Sequence, residues 1–436
     1  MKKLLIAFVL LINTFSERHL IAQPYMGNNG KYRFAQRTMG VQIETTPTGG
    51  TTFFKQGDKT FSQDIGGKTQ LSLMVAGLHF WGHADFSITF PIYQFQNRKD
   101  SSYKSGGNFE IIGTRYYPWR LENGKIRPYI GTALQISYYR QEGMGLFRGV
   151  GGPNTVRFNA PLTFGVAYIN GKNIFELGAK WTYNNKFDYY LDRETQQTIT
   201  TAPVSFNLTL RRYFENTAPQ FEAKEASGEL KRNHQILIDN RRRNAFSLAV
   251  GLSSAAFVGQ NSYNADKNPY MSSFGIKTFL EFGVGYNLDK LDAHLNVSYR
   301  SYSMEQSSYR RVQQVKRQGL GIEAYKFLLD YKGFVPFLGA GLSNENLQIT
   351  DEDKLTGKVE TGNATLKAAP FIIAGWDIRY HRANWFMLRT NIRYFPTLSA
   401  EVGNNGKFPF RQCELNFIQA VFYPERLYLK KKLFNK

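Results

Sequence analysis

Along most of the chain, apolar residues recur at every second position. Between residues 126 and 139, Ile130, Leu134, Ile136 and Tyr138 fall on one side of an extended chain. Gly131, Ala133, Gln135 and Ser137 fall on the other. Successive strand side chains point to opposite faces, so this alternation predicts a strand with one apolar face and one small or polar face. "IFELGAKWTY" separates Phe175, Leu177, Ala179, Trp181 and Tyr183 from Glu176, Gly178, Lys180 and Thr182. "WFMLRTNIRY" sets Phe386, Leu388, Ile392 and Tyr394 against Met387, Arg389, Asn391 and Arg393. A strand with arginines on one face and an unbroken apolar stripe on the other suits a wall between lipid and a polar interior.

Such segments number eight in the first half, at 35–46, 69–82, 84–95, 108–120, 126–140, 157–170, 173–185 and 202–214. The second half repeats the count, at 244–257, 273–287, 291–304, 316–331, 334–348, 366–381, 384–397 and 412–424. Connections after even strands are tight, as in "LENGK", "NGKN" and "LDKL". Those after odd strands are long and polar, as in "TPTGGTTFFKQGDKTFSQDIGGK" and "DEDKLTGKVETGNA". Short turns on one side and long loops on the other mark outer-membrane barrels, the closed form in which a sheet can cross lipid.

The halves also echo each other. "RPYIGTAL" at 127–134 is answered by "VPFLGAGL" at 335–342, Gly113 and Tyr117 by Gly321 and Tyr325, and "AP" at 160–161 by "AP" at 369–370. A repeat of this length indicates a copied structural unit. Aromatic residues gather near strand ends: Trp81, Trp119, Phe175, Tyr286 and Trp385 on the short-turn side, Tyr138, Tyr183, Tyr299 and Tyr394 on the other. An apolar body with a polar tip suits the boundary between lipid and water. The expected organisation is a leader at 1–22, a first eight-stranded transmembrane antiparallel β-barrel at 23–216, a periplasmic linker at 217–243 and a second barrel at 244–436. A single 16-stranded barrel is the open alternative.

Alternation assigns charges to the interior. In the first half these are Arg115, Lys180 and Arg211 with Glu44, Asp85 and Glu176. In the second they are Lys277, Arg300, Arg379, Arg389 and Arg393 with Glu281, Asp292, Glu323, Asp377 and Glu414. The signs balance within each half. A barrel of eight strands has room inside only for side chains, so its charges must pair. In a 16-stranded pore the same residues would line water, and Arg389 and Arg393 would favour anions.

The opening "MKKLLIAFVLLINTF" has a basic start and a short apolar run, the form of a secretory signal cut near Ala22. Beyond it no apolar run reaches the length of a membrane helix. Cys413 is the only cysteine, which excludes an internal disulfide. Aromatics make up 15% of residues, and 55 basic against 34 acidic residues give a formal net charge of +21. For an exported chain this charge points away from nucleic acid and towards outer-membrane lipids and lipopolysaccharide phosphate.

Chemistry is sparse. The mature histidines (His79, His83, His234, His294 and His381) fall near the short-turn side or in the linker, away from the long loops where a surface Ser-His hydrolase would work. His79 and His83 in "HFWGH" lack neighbouring metal-ligating partners in sequence. "RGVGGP" at 148–153 lacks the Lys-Ser/Thr ending of a phosphate loop and reads as a loop tip. No catalytic residue, cofactor or metal is expected; an outer-membrane lipid-modifying enzyme is the remote alternative.

The strand–turn–strand blocks "GTRYYPWRLENGKIRPYIGTAL" (113–134) and "GIEAYKFLLDYKGFVPFLGAGL" (321–342), together with the leader, resemble the OmpA/OmpX-like outer membrane protein beta-barrel domain family of Bacteroidetes, here duplicated. The resemblance implies an integral outer-membrane barrel, insertion by the barrel-assembly machinery, and a structural or surface-binding role exercised through extracellular loops. The chain departs from the family at its end, where "FYPERLYLKKKLFNK" continues past Tyr423. The extracellular ligand is left unnamed.

Overall fold

The computed structural model describes residues 36–56, 58–96, 103–141, 154–214, 244–257, 261–271, 274–329, 334–379, 385–403 and 406–428. The leader, the 217–243 linker, "RGVGGP", His234 and His381 lie outside the described residues.

Two closed antiparallel barrels account for nearly all of the described chain. The first comprises β1 (Gln36–Thr46), β2 (Lys68–His79), β3 (Ala84–Gln96), β4 (Tyr103–Tyr116), β5 (Ile126–Gln141), β6 (Leu162–Asn170), β7 (Asn173–Trp181) and β8 (Val204–Phe214). The second comprises β9 (Ala245–Phe257), β10 (Ile276–Leu288), β11 (Ala293–Ser308), β12 (Arg311–Phe327), β13 (Phe334–Asp353), β14 (Lys358–Arg379), β15 (Phe386–Phe395) and β16 (Gln412–Phe422). β1 pairs with β8 through Val41↔Leu210 and Ile43↔Leu208. β9 pairs with β16 through Val250↔Ala420. Each half therefore closes on itself, which excludes the single 16-stranded barrel and the pore that it would form.

Cross-strand register sorts the side chains. Leu248, Val284, Val297, Ile322 and Leu342 lie opposite one another on successive strands and form a continuous outward belt around the second barrel. Each is exposed, Ile322 by 64%. Ile43, Leu208, Leu177 and Val166 make the same belt on the first barrel. An exposed apolar belt of this extent marks an interaction surface, and encircling a closed barrel it matches the face that such barrels turn to lipid.

The repeated phrases occupy equivalent places. Gly131 and Gly339 both lie on the fifth strand of their barrel. A Cβ on Gly131 would fall 1.9 Å from the Thr114 carbonyl oxygen, and one on Gly339 would fall 2.3 Å from that of Ala324. Both copies keep glycine because the fourth strand's backbone passes too close for any side chain. The two "AP" pairs interrupt the sixth strand of each barrel. In the first, Pro161 separates Asn154–Asn159 from β6, and its carbonyl accepts from Thr132 Oγ1 at 3.0 Å. In the second, Ala368 has φ +54° and the ladder shifts register between Ser343 and Glu345. Proline cannot donate to a ladder, and the copies accommodate it differently: the first breaks the strand but keeps register (Gln135↔Asn159, Thr132↔Leu162), and the second bulges.

The long connections differ from the loops expected of them. Strands Gly50–Gln56, Lys59–Asp64, Lys186–Tyr190 and Gln196–Thr201 build a separate four-stranded sheet at the outer end of the first barrel. In the second barrel, β13 and β14 keep pairing as far as Asp353↔Lys358, and β11 and β12 as far as Ser308↔Arg311. Alternation simply persists through these polar stretches, so they become projecting hairpins.

The barrels stand side by side. His79 meets Phe334 (ring centroids 5.2 Å apart) near the short-turn end, and Phe90 meets Phe417 (6.3 Å) further out. At the outer end, Arg193 makes a two-pronged ion pair with Asp353 at 2.8 and 2.9 Å and donates to the Tyr309 carbonyl. The Tyr309 hydroxyl donates to the Tyr190 carbonyl at 2.9 Å.

Candidate functional site: the charged interiors

Each barrel carries a closed ion-pair network where a pore would carry water. In the first, Asp85 on β3 receives Arg211 at 2.7 Å and Arg115 at 3.2 Å. Arg211 also pairs with Glu176, which accepts from the Tyr117 hydroxyl at 2.9 Å. Further out, Lys180 on β7 pairs with Glu44 at 2.5 Å and with Glu110, and the Ser205 hydroxyl donates to Glu44 at 3.0 Å. All these charged side chains are buried.

The second interior is denser in arginine. Arg389 pairs with Asp377 through two contacts (2.7 and 3.0 Å) and donates to the Tyr325 hydroxyl. Arg393 spans two carboxylates, Glu323 (3.0 and 3.1 Å) and Glu281 (2.8 Å). Arg317 grips Glu345 with two 2.8 Å bonds and reaches Glu414 at 2.7 Å. Arg300 lies among Glu414 (3.4 Å), Glu345 (3.7 Å) and Glu323 (4.0 Å). Phe395 stacks beneath Arg317 at 4.1 Å and Phe371 beneath Arg300 at 5.2 Å. Guanidinium suits this setting: its planar fork satisfies two carboxylate oxygens while its face packs on a ring.

Thirteen of the sixteen residues expected inside are there and paired. Three are not. Lys277 has the inward register of Glu281 but lies at the outer start of β10 and is exposed. Asp292 caps the β10–β11 turn with φ +45° and makes a surface ion pair of 3.8 Å with Lys326. Arg379 ends β14 half-buried at the short-turn mouth, its guanidinium 4.5 Å from the Phe327 ring. In each case alternation carries the residue past the end of the enclosed lumen.

Three network members were missed. Glu110 faces inward only because the ladder slips between Glu110 and Ile112, which reverses the parity set by Arg115. Arg317 and Glu345 follow the plain alternation of Glu323 and Leu347, so their signal was present in the sequence. With them, the described networks hold three cations against four carboxylates in the first barrel and four against five in the second.

The described histidines, His79, His83 and His294, lie close to the short-turn ends. His83 Nδ1 lies 2.9 Å from the Tyr117 carbonyl, and buried His294 stacks on Tyr325 with ring centroids 5.1 Å apart. Among the described residues no group of three His, Cys, Asp or Glu could hold a metal ion.

No family model and no curated protein matches the chain. Solved structures do match. Ail, the attachment invasion locus protein of Yersinia pestis, is 13% identical over 41% of this chain and 96% of its own, with a TM-score of 0.25. An outer membrane channel from Pseudomonas putida F1 is 10% identical over 89% and 95%, with a TM-score of 0.18. An OmpT loop-deletion mutant, an outer membrane protein of Vibrio cholerae, is 8% identical over 90% and 100%, with a TM-score of 0.15. Superpositions this loose carry no weight, and the barrel assignment rests on the strand pairing itself.

Proposed function

We propose that this chain is an integral outer-membrane protein whose two filled barrels form a rigid anchor, inserted by the barrel-assembly machinery. It catalyses no reaction and acts by contact, through the projecting hairpins and the four-stranded outer sheet. The observation that supports this most directly is the coexistence, on the same strands, of an exposed apolar belt and a buried ion-paired interior. Arg300 is fully buried among three glutamates, and Ile322 on the neighbouring strand is 64% exposed. In water that exposure would be a liability; in lipid it is the solvent-matched face. On this reading the ion-paired interiors hold the barrels rigid and the anchor does not conduct.

Recording from the purified full chain in planar bilayers tests the reading. Intact protein, identified by barrel-specific resistance to unfolding in cold detergent, is expected to insert without discrete conductance steps. Stable, reproducible channels would overturn it.

A further inference from the structure

From the groove between the two barrels we infer that the protein binds one molecule of lipopolysaccharide, seating an acyl chain of its lipid A there. This rests on the membrane reading above. The groove is an apolar cavity of about 290 Å³. The first barrel contributes Ile112, Leu134 and Phe158, and the second contributes Ile276, Leu415 and Phe417 with the thiol-bearing Cys413. It is graded: Phe257, Leu415 and Phe417 form a buried floor, while Leu134, Phe158 and Ile392 at the rim remain exposed. Its polar side chain, Ser254, is already bonded to Thr278 at 3.0 Å. Water entering would find no free partner, and apolar cavities of this kind stay dry.

Two further observations select the occupant. The groove continues the barrel–barrel interface formed by Phe90 and Phe417, and its second-barrel residues lie towards the outer ends of β9, β10 and β16. An acyl chain at that depth belongs to the outer leaflet. Just beyond, the outward rows end in cations. Arg140 follows Tyr138 on β5 and Arg411 precedes Cys413, both exposed and both two residues further out. An apolar slot of this size, on strands that each carry an exposed arginine two residues further out, fits an acylated, phosphorylated glycolipid better than a zwitterionic phospholipid.

Cys413 is the sole cysteine, which supplies the assay. The full chain is reconstituted into phosphatidylethanolamine/phosphatidylglycerol vesicles with or without hexa-acylated lipid A, and N-ethylmaleimide alkylation of Cys413 is timed by mass spectrometry. Lipid A is expected to slow alkylation about tenfold, and Arg140→Glu with Arg411→Glu to abolish that protection. Native mass spectrometry of protein extracted from outer membranes should show one lipid A retained per chain, lost in Cys413→Trp. Equal alkylation rates with and without lipid A, or equal protection by phospholipid alone, would overturn the inference. A chain that fails to enter vesicles at all would instead refute the membrane reading, so the two failures are distinguishable.

Discussion

Replacing Arg393 by methionine should be the most damaging single change in the second interior. Its guanidinium makes two bonds to Glu323 (3.0 and 3.1 Å) and contacts Glu281 at 2.8 Å, with all three side chains almost completely buried. Methionine fills much of the same volume and supplies no donor. Glu323 would keep the Ser298 hydroxyl (2.6 Å) and a distant Arg300 (4.0 Å), and Glu281 the Ser253 hydroxyl (2.6 Å). These partial substitutes place the loss within the usual range for breaking a buried pair, about 3–5 kcal/mol. That is a factor of roughly 10² to 10⁴ in the folding equilibrium. Urea titration of vesicle-inserted protein, followed by tryptophan fluorescence and by migration of unheated samples on gels, measures it. The triple variant Arg393→Met, Glu281→Gln, Glu323→Gln removes all three charges and should recover most of the loss, because neutral amides still bond to the serines. A cost for Arg393→Met below about 1 kcal/mol would place these groups in water and refute the filled interior.

Other outcomes follow from the same structure. Ile322→Arg, at the apolar belt, should cost about 2–4 kcal/mol in bilayers, whereas the same change on a water-facing surface moves stability by less than about 0.5 kcal/mol; urea titration in vesicles distinguishes the two. Gly131→Val should cost about 3 kcal/mol or prevent closure, since its Cβ would meet the Thr114 carbonyl at 1.9 Å, and failure to gain gel-shift resistance would report it. The hydrogen bond from Arg193 holds the Asp353 carboxyl down to about 2, partial burial opposing it. Because the native value lies below the unfolded value of about 3.9, the clamp between the barrels is complete above pH 4 and fades as pH falls through 2. Arg193→Ala should therefore weaken the barrel–barrel contact at pH 7, read as faster proteolysis of the outer hairpins, with the difference from wild type shrinking near pH 2 to what the bonds to the Tyr309 carbonyl retain.

Strand number, closure and most interior charges were legible because lipid outside and salt inside force a strict two-residue alternation. Where that alternation breaks, sequence reading fails for local reasons. Glu110 is hidden by a ladder slip, and the "AP" site of β14 reveals itself as a bulge only when that strand is seen beside its neighbour. Asp292 shows the opposite error: the period continues in sequence after the lumen has ended. The barrel–barrel contacts were not legible at all. His79, Phe90 and Phe334 look like any outward aromatic, and only the placement of two closed surfaces against each other distinguishes a lipid contact from a protein one.

Comparison of the two copies bears on what the interiors are for. Tyr117, just past the end of β4, and Tyr325 on β12 hold equivalent places in their barrels, and each reaches a charged residue of the seventh strand. In the first barrel that residue is Glu176, which accepts from the tyrosine; in the second it is Arg389, which donates to it. Nearby, Arg115 and Glu323 also exchange sign, and each has opposite charges around it: Asp85 for Arg115, Arg393 for Glu323. A lumen that selected ions would depend on the sign of its lining, and reversing it would reverse selectivity. A packed lumen depends only on every buried charge having a partner, and either sign serves. The copies differ in sign and agree in pairing, which is the pattern of a structural interior. Under the proposed function, recognition then falls to the outer hairpins, the belt or the groove between the barrels.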